Sequence, residues 1–282
     1  MDLCNIKEIK ALLERHGFHF SKSMGQNFLI ESWVPQDIAQ ASGGNADAGV
    51  LEIGPGIGPL TAQLAQRCGK VVSVELDKAL LPVLAETMNG FSNVEIVPGD
   101  IMKFDIAALV SDKLNSYTPI ACANLPYNIT TPVITALLEA NCFERITVMI
   151  QREVAMRICA APGTSDYGAF SVFCQYHARC ERLFDVPPEC FLPAPKVTSS
   201  VIRLTPQSKP AEVADEQAFF RVVRAAFAQR RKTLLNSLSS TLSATHSKEQ
   251  LRAAIAACGL PEDVRGERLG IPEFAALAKQ LF

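Results

Sequence analysis

The stretch VLEIGPGIGPLTAQLAQRCGKVVSVE, residues 50–75, sets the fold class. A short apolar run breaks into the glycine turn Gly54-Pro55-Gly56-Ile57-Gly58, a helical pattern follows, and a second short run ends at Glu75. That is a strand, a tight turn, a helix and a strand. Downstream the alternation continues through LLPVLAETM, NVEIVPGD, PIACANLPY, PVITALLEA and RITVMIQ, with a further helix starting near Glu153. Strands alternating with helical segments predict an α/β fold with a parallel sheet covered by helices on both faces. Upstream, Asn5 and Glu8 have capping-box spacing and open an amphipathic helix through Ile6, Ile9, Leu12 and Leu13 that ends at Gly17. Residues 170–186 and 197–204 read as extended strands joined by the Pro-rich PPECFLPAPK, which predicts an antiparallel hairpin at the sheet edge. PQSKPA then serves as a linker. Beyond it the pattern is helical with a Ser/Thr-rich interruption at SSTLSATHS, so the predicted domains are residues 1–205 and a small all-α domain at 206–282.

Composition narrows the function classes. Hydrophobic residues at 48% and charged residues at 20% are ordinary globular usage, against disorder or a fibrous repeat. Charges are mixed into MDLCNIKEIKALLERHGF, which disfavours a signal peptide, and no run reaches the roughly 18 to 20 apolar residues of a membrane span; a cytoplasmic location is expected. Nine cysteines without a C-x-x-C pair read as reduced thiols, and four histidines show no ligand spacing, so no metal site is expected. The formal charge of −2 divides unevenly: residues 206–282 hold 11 Lys and Arg against 8 Asp and Glu, net +3, leaving net −5 upstream. The densest basic cluster is Arg221, Arg224, Arg230, Arg231 and Lys232, on a segment with helical apolar spacing. It reads either as an RNA-binding stripe or as a solvated helix face.

Pro59 stands where a dinucleotide fingerprint wants its third glycine, which argues against an NAD enzyme. The remaining G-x-G-x-G looks like the motif of S-adenosylmethionine enzymes, with Gly54 and Gly56 letting backbone approach the ligand. Glu75, ending the second strand, is placed to accept hydrogen bonds from both ribose hydroxyls. Asp100, after the third, would accept from the cofactor's adenine amine or simply cap the next helical turn. Asn124-Leu125-Pro126-Tyr127 ends the fourth strand. An exocyclic amine is a poor nucleophile because its lone pair is delocalised into the ring; an amide oxygen and a backbone carbonyl accepting its two protons would redirect that pair. Pro126 stiffens the loop and Tyr127 offers a face for a flipped adenine.

Gly25-Gln26-Asn27-Phe28-Leu29, LEIGPGIGPLT, Gly99-Asp100, NLPYNITTPVI, FLPAPKVTSSVIRL and AFAQRRKTLLNSL together resemble the KsgA-type ribosomal RNA adenine dimethyltransferase family, in that family's order and across most of the chain. The resemblance implies a Rossmann-like sheet of seven strands and S-adenosyl-L-methionine as methyl donor. The candidate cofactor contacts are Gln26, Asn27, Leu29, Gly54, Gly56, Glu75, Asp100, Ile101 and Asn124, and the candidate target pocket is Asn124, Leu125, Pro126, Tyr127 and Phe191. Asn27 and Leu29 would belong to a segment folded over the methionine end of the cofactor. Phe191 reads equally as a stacking face or a core plug from its residues, and the resemblance favours stacking. The activity implied is dimethylation of the N6 amines of two adjacent adenines in a loop near the 3′ end of small-subunit (16S) ribosomal RNA, the partner being a pre-assembled small subunit and the protein a monomer. Rival readings are a large-subunit adenine dimethyltransferase of the antibiotic-resistance type, a DNA adenine methyltransferase, and a non-catalytic RNA-binding assembly factor.

Overall fold

The strand, turn and helix of residues 48–65 form the first βα unit of a computed structural model that describes residues 1–18, 26–210 and 212–282. Elements follow in the order α1 (Ile6–Arg15), β1 (Phe28–Leu29), α2 (Trp33–Ala41), β2 (Ala48–Ile53), α3 (Pro59–Ala65), β3 (Lys70–Glu75), α4 (Leu81–Thr87), β4 (Val94–Pro98), α5 (Ile106–Lys113), β5 (Thr118–Asn124), α6 (Thr130–Glu139) and β6 (Arg145–Gln151). They continue with α7 (Arg152–Ile158), α8 (Ala169–His177), β7 (Ala178–Val186), β8 (Phe191–Leu192), β9 (Ser199–Pro206), α9 (Glu216–Phe227), α10 (Leu234–Leu242), α11 (Lys248–Ala257) and α12 (Ile271–Leu281). Among the described residues no helix is long and apolar enough to cross a membrane.

The chain divides into two units. The first, Met1–Ala155 with Arg179–Pro206, holds a seven-stranded sheet of order β4-β3-β2-β5-β6-β9-β7. β2 pairs in parallel with both β3 and β5, β4 and β6 extend the parallel run, and β9 lies antiparallel to β6 with Gln151 opposite Ser199. β7 and β9 thus close one edge, as the sequence predicts. Strand order reverses between β2 and β5, the point at which the loops after parallel strands open a crevice at their carboxyl ends. β2 is buried on both faces along its length, the pattern of a strand covered on both sides. A second, two-stranded sheet pairs β1 with β8, Phe28 opposite Leu192 and Leu29 opposite Phe191.

The second unit, Met156–Ala178 with Gln207–Phe282, is helical. Its core joins Tyr167, Val172 and Tyr176 to Phe219, Leu238, Leu251 and Phe274, so the apolar residues of α8 are covered by C-terminal helices. Two readings of the sequence change here. Residues 170–177 are helical rather than extended, and the second unit takes in residues ahead of the expected 205/206 boundary because their apolar side chains have their partners there. The Ser/Thr-rich interruption is also shorter than expected: α10 runs to Leu242, and Ser247 caps α11 through its hydroxyl on the Gln250 N–H at 3.2 Å.

Candidate active site

A cavity of about 270 Å³ opens at the carboxyl ends of β2, β3, β4 and β5, and all of the expected cofactor and target residues line it, from Gln26 to Phe191. Gly25 lies outside the described residues. The turn after β2 needs its glycines: Gly54 has φ +68°, Gly56 φ +63° and Gly58 φ +95°, the left-handed region. A Cβ on Gly56 would lie against the Phe28 ring at 3.4 Å, an ordinary contact, so the left-handed φ rather than lack of space is what favours glycine there. The Gly54 N–H donates to the Val74 carbonyl at 3.0 Å, which fixes the start of the turn on β3.

Glu75 is 6% exposed. Its Oε2 accepts the Gly56 N–H at 3.3 Å and its Oε1 the Asp77 N–H at 2.8 Å. Burial raises this carboxyl above its ordinary range, and the two N–H donors offset part of the rise. Asp100 caps a single 3₁₀ turn, Oδ1 accepting the Met102 N–H at 3.0 Å, while also lining the cavity; capping and ligand contact are compatible in this carboxylate. Ile101 follows it as a buried wall residue.

The tetrapeptide after β5 is anchored by the Leu125 N–H on the Met149 carbonyl at 3.1 Å. The Pro126 carbonyl is already taken, by the Ile129 N–H at 3.2 Å and the Thr130 hydroxyl at 3.3 Å. Among the described residues the Asn124 side chain and the Leu125 carbonyl have no such partner, which leaves them as the loop's open acceptors. Tyr127 turns into the 3₁₀ turn Tyr127–Ile129, its phenol oxygen 2.7 Å from Ser199 Oγ. Phe191 is 3% exposed and belongs both to the cavity wall and to the core that contains Leu29 and Met149, so the plug and wall readings coexist.

The N-terminal approach to the cavity is held at Gln26, whose Nε2 donates to Asp77 Oδ2 at 2.7 Å. Leu29 is buried through the β1–β8 pairing, a fixed wall of the cavity in this structure. The lining also includes residues that the sequence reading did not assign to the site, among them Phe28, Glu52 and Asp77. Asp77 was signalled by its position before a helical turn, since its Oδ1 caps Ala79 N–H at 2.9 Å. Glu52 is fully buried, with Oε2 accepting the Thr61 hydroxyl at 2.7 Å and the Ser73 hydroxyl at 2.6 Å.

A family model described as ribosomal RNA adenine dimethylase matches residues 17–264. The chain belongs to the ribosomal RNA adenine dimethylase family. A relative named ribosomal RNA small subunit methyltransferase A, from Geobacillus thermodenitrificans, is 46% identical over 99% of this chain and 97% of its own length. The protein of the same name from Alkaliphilus metalliredigens is 44% identical over 96% of this chain and 95% of its own. Among solved structures, a dimethyladenosine transferase from Plasmodium falciparum has the same fold, with TM-score 0.73, 22% identity, and coverage of 88% of this chain and 95% of that one. The 23S rRNA methyltransferase ErmE superposes with TM-score 0.66 at 25% identity, covering 90% of this chain and 99% of that one.

As a member of the ribosomal RNA adenine dimethylase family, the protein is an S-adenosylmethionine-dependent rRNA methyltransferase. The cavity fits that cofactor on its own chemistry: the left-handed backbone of Gly54 and Gly56 lines it without side chains, and the buried Glu75 carboxylate, bonded to the Gly56 N–H, stands beside it for hydroxyl donors.

The basic cluster divides in two. Arg221 and Arg224 are exposed on α9, with the Arg221 guanidinium 4.7 Å from the centre of the Phe282 ring. Arg230, Arg231 and Lys232 lie in the turn between α9 and α10, since α9 ends at Phe227 and Thr233 caps α10. The single helical stripe expected from the spacing is therefore not formed. Arg230 is committed internally: its Nη2 donates to the Ser165 carbonyl at 2.6 Å and the Tyr167 carbonyl at 3.1 Å. The side chains of Arg224, Arg231 and Lys232 make no such bonds among the described residues.

Proposed function

We propose that this protein transfers methyl groups from S-adenosylmethionine to the N6 amines of two adjacent adenines in a loop near the 3′ end of small-subunit ribosomal RNA, acting as a monomer on a pre-assembled small subunit in the cytoplasm. The observation that carries the chemistry is the pairing of two open acceptors, the Asn124 amide and the Leu125 carbonyl, with the glycine turn, Glu75 and Asp100 around one cavity. The substrate assignment rests on relatives at 44–46% identity named for the small subunit, compared with 25% for ErmE.

Bound S-adenosylmethionine supplies a methyl group on a sulfonium, already activated for displacement. Gln26, Asn27, Leu29, Gly54, Gly56, Glu75, Asp100 and Ile101 would hold it, Glu75 accepting from the ribose. Asn124 Oδ1 and the Leu125 carbonyl accept the two N–H groups of the target amine, which localises its lone pair on nitrogen as the new bond forms. Pro126 fixes the loop that carries these acceptors. Tyr127 and Phe191 offer aromatic faces to the base, which reaches the cavity unpaired or extruded from its stack. Alignment in such a site accounts for about 7–11 kcal/mol of barrier lowering in well-oriented reactions. Arg221, Arg224, Arg231 and Lys232, in the C-terminal helical region expected to bind RNA, would contact phosphates and set register on the folded RNA.

The test is transfer of labelled methyl groups to immature small subunits, large-subunit RNA and adenine-containing duplex DNA, followed by digestion to nucleosides. Dimethyladenosine from small subunits alone is the expected result. Label in large-subunit RNA, or none anywhere, would sink the assignment.

A further inference from the structure

Ser199 has no role in the chemistry just described, yet it is fully buried beside the target pocket. It opens β9 opposite Gln151, and the preceding residue's carbonyl accepts the Arg152 N–H at 3.0 Å, so its backbone belongs to the rigid sheet. Tyr127 has the opposite setting: it begins a single 3₁₀ turn between β5 and α6 and is half-buried. The 2.7 Å contact between its phenol oxygen and Ser199 Oγ spans 72 positions of sequence, and among the described residues the phenol makes no other hydrogen bond. A strand residue thus holds the far end of a loop aromatic ring.

We propose that Ser199 is a positioning residue for the target adenine: through its hydroxyl it fixes the Tyr127 ring as a preformed stacking face before the base arrives. The proposal rests on the adenine reading above. A ring already held loses no rotamer freedom on binding, and it meets the base in one orientation, so the amine reaches Asn124 and Leu125 with its protons directed. Burial raises the Tyr127 phenol above its ordinary range and the Ser199 bond offsets part of this, so the oxygen stays protonated near neutral pH and serves as an anchor rather than a base.

The experiment is a double-mutant cycle in the full chain with immature small subunits and labelled S-adenosylmethionine. Tyr127→Phe keeps the ring and removes its hydroxyl; Ser199→Ala removes the partner. Each single change should lower kcat about 3- to 12-fold, the worth of one hydrogen bond, with KM for subunits and affinity for the cofactor near wild type. The double variant should lose no more than either single, because both act through the same bond. A merely structural Ser199 would shift melting temperature and cofactor affinity without that coupling in kcat. Wild-type kcat in either single variant, or losses that multiply in the double, would overturn the proposal. Inactive wild-type protein would overturn it together with the parent reading, and that result is seen without any variant.

Discussion

The backbone N–H of Gly56 donates to Glu75 Oε2 at 3.3 Å, so the glycine turn after β2 and the carboxylate that ends β3 form one hydrogen-bonded unit. Glu75→Gln should weaken cofactor binding about 10- to 100-fold by calorimetry, since it replaces a charged acceptor by a neutral one. Gly56→Ala should weaken it too, because φ +63° disfavours any side chain there and the turn that presents the N–H would have to shift. The double variant should show less than the product of the two losses. Independent, multiplying losses would mean that the turn and the carboxylate act separately.

Asn124→Ala should lower turnover about 100- to 1000-fold with an unchanged melting temperature, because it deletes an acceptor that matters most as the amine becomes tetrahedral. Turnover within a few-fold of wild type would remove Asn124 from the chemistry.

Glu52 predicts a pH effect on stability. Burial pushes its carboxyl from 4.5 up to about 7, the Thr61 and Ser73 hydroxyls acting against that rise and the Glu75 charge adding to it. A raised folded-state value means that the protonated form is favoured in the folded state: the stabilising contribution is complete below pH 4.5 and disappears as pH rises through 7. The loss is on the order of 3 kcal/mol. Glu52→Gln cannot ionise, so its melting temperature should gain on wild type between pH 5 and 8. A constant difference across that range would show that Glu52 is ionised throughout.

The basic residues of the α9–α10 turn should separate by function. Arg231→Ala with Lys232→Ala should weaken binding to small-subunit RNA and flatten its salt dependence while leaving the melting temperature alone. Arg230→Ala should instead lower the melting temperature by a few degrees, because the Ser165 and Tyr167 carbonyls lose their donor. Equal effects of the two variants on RNA affinity, with no thermal shift, would show that Arg230 belongs with its neighbours.

Much of this arrangement is written locally in the chain. RITVMIQ forms β6 residue for residue, and the glycine turn and the loop after β5 fall where strand-to-helix switching places them. Residues 170–177 were not legible for a physical reason: Val172, Cys174 and Tyr176 alternate as in a strand, while in α8 Val172 and Tyr176 share one face against Phe219 and its neighbours. A short apolar run carries both periods, and its covering partners lie far along the chain. The division of the basic cluster was hidden because Thr233, whose Oγ1 accepts the Asn236 N–H at 3.4 Å, marks a new helix start inside an apparently continuous pattern. Ser199 lies in the stretch FLPAPKVTSSVIRL, but nothing there marks its role; a serine at a strand start is ordinary until the tyrosine it holds is brought beside it.

The second unit is made from two stretches of chain, 156–178 and 207–282, and this has a consequence for biosynthesis. At about 5–20 residues per second on the ribosome, α8 emerges roughly 5–20 seconds before the last residues of α12 that complete its core. A nascent chain halted at residue 206 therefore carries every strand of the sheet but leaves Tyr167, Val172 and Tyr176 waiting for helices not yet translated.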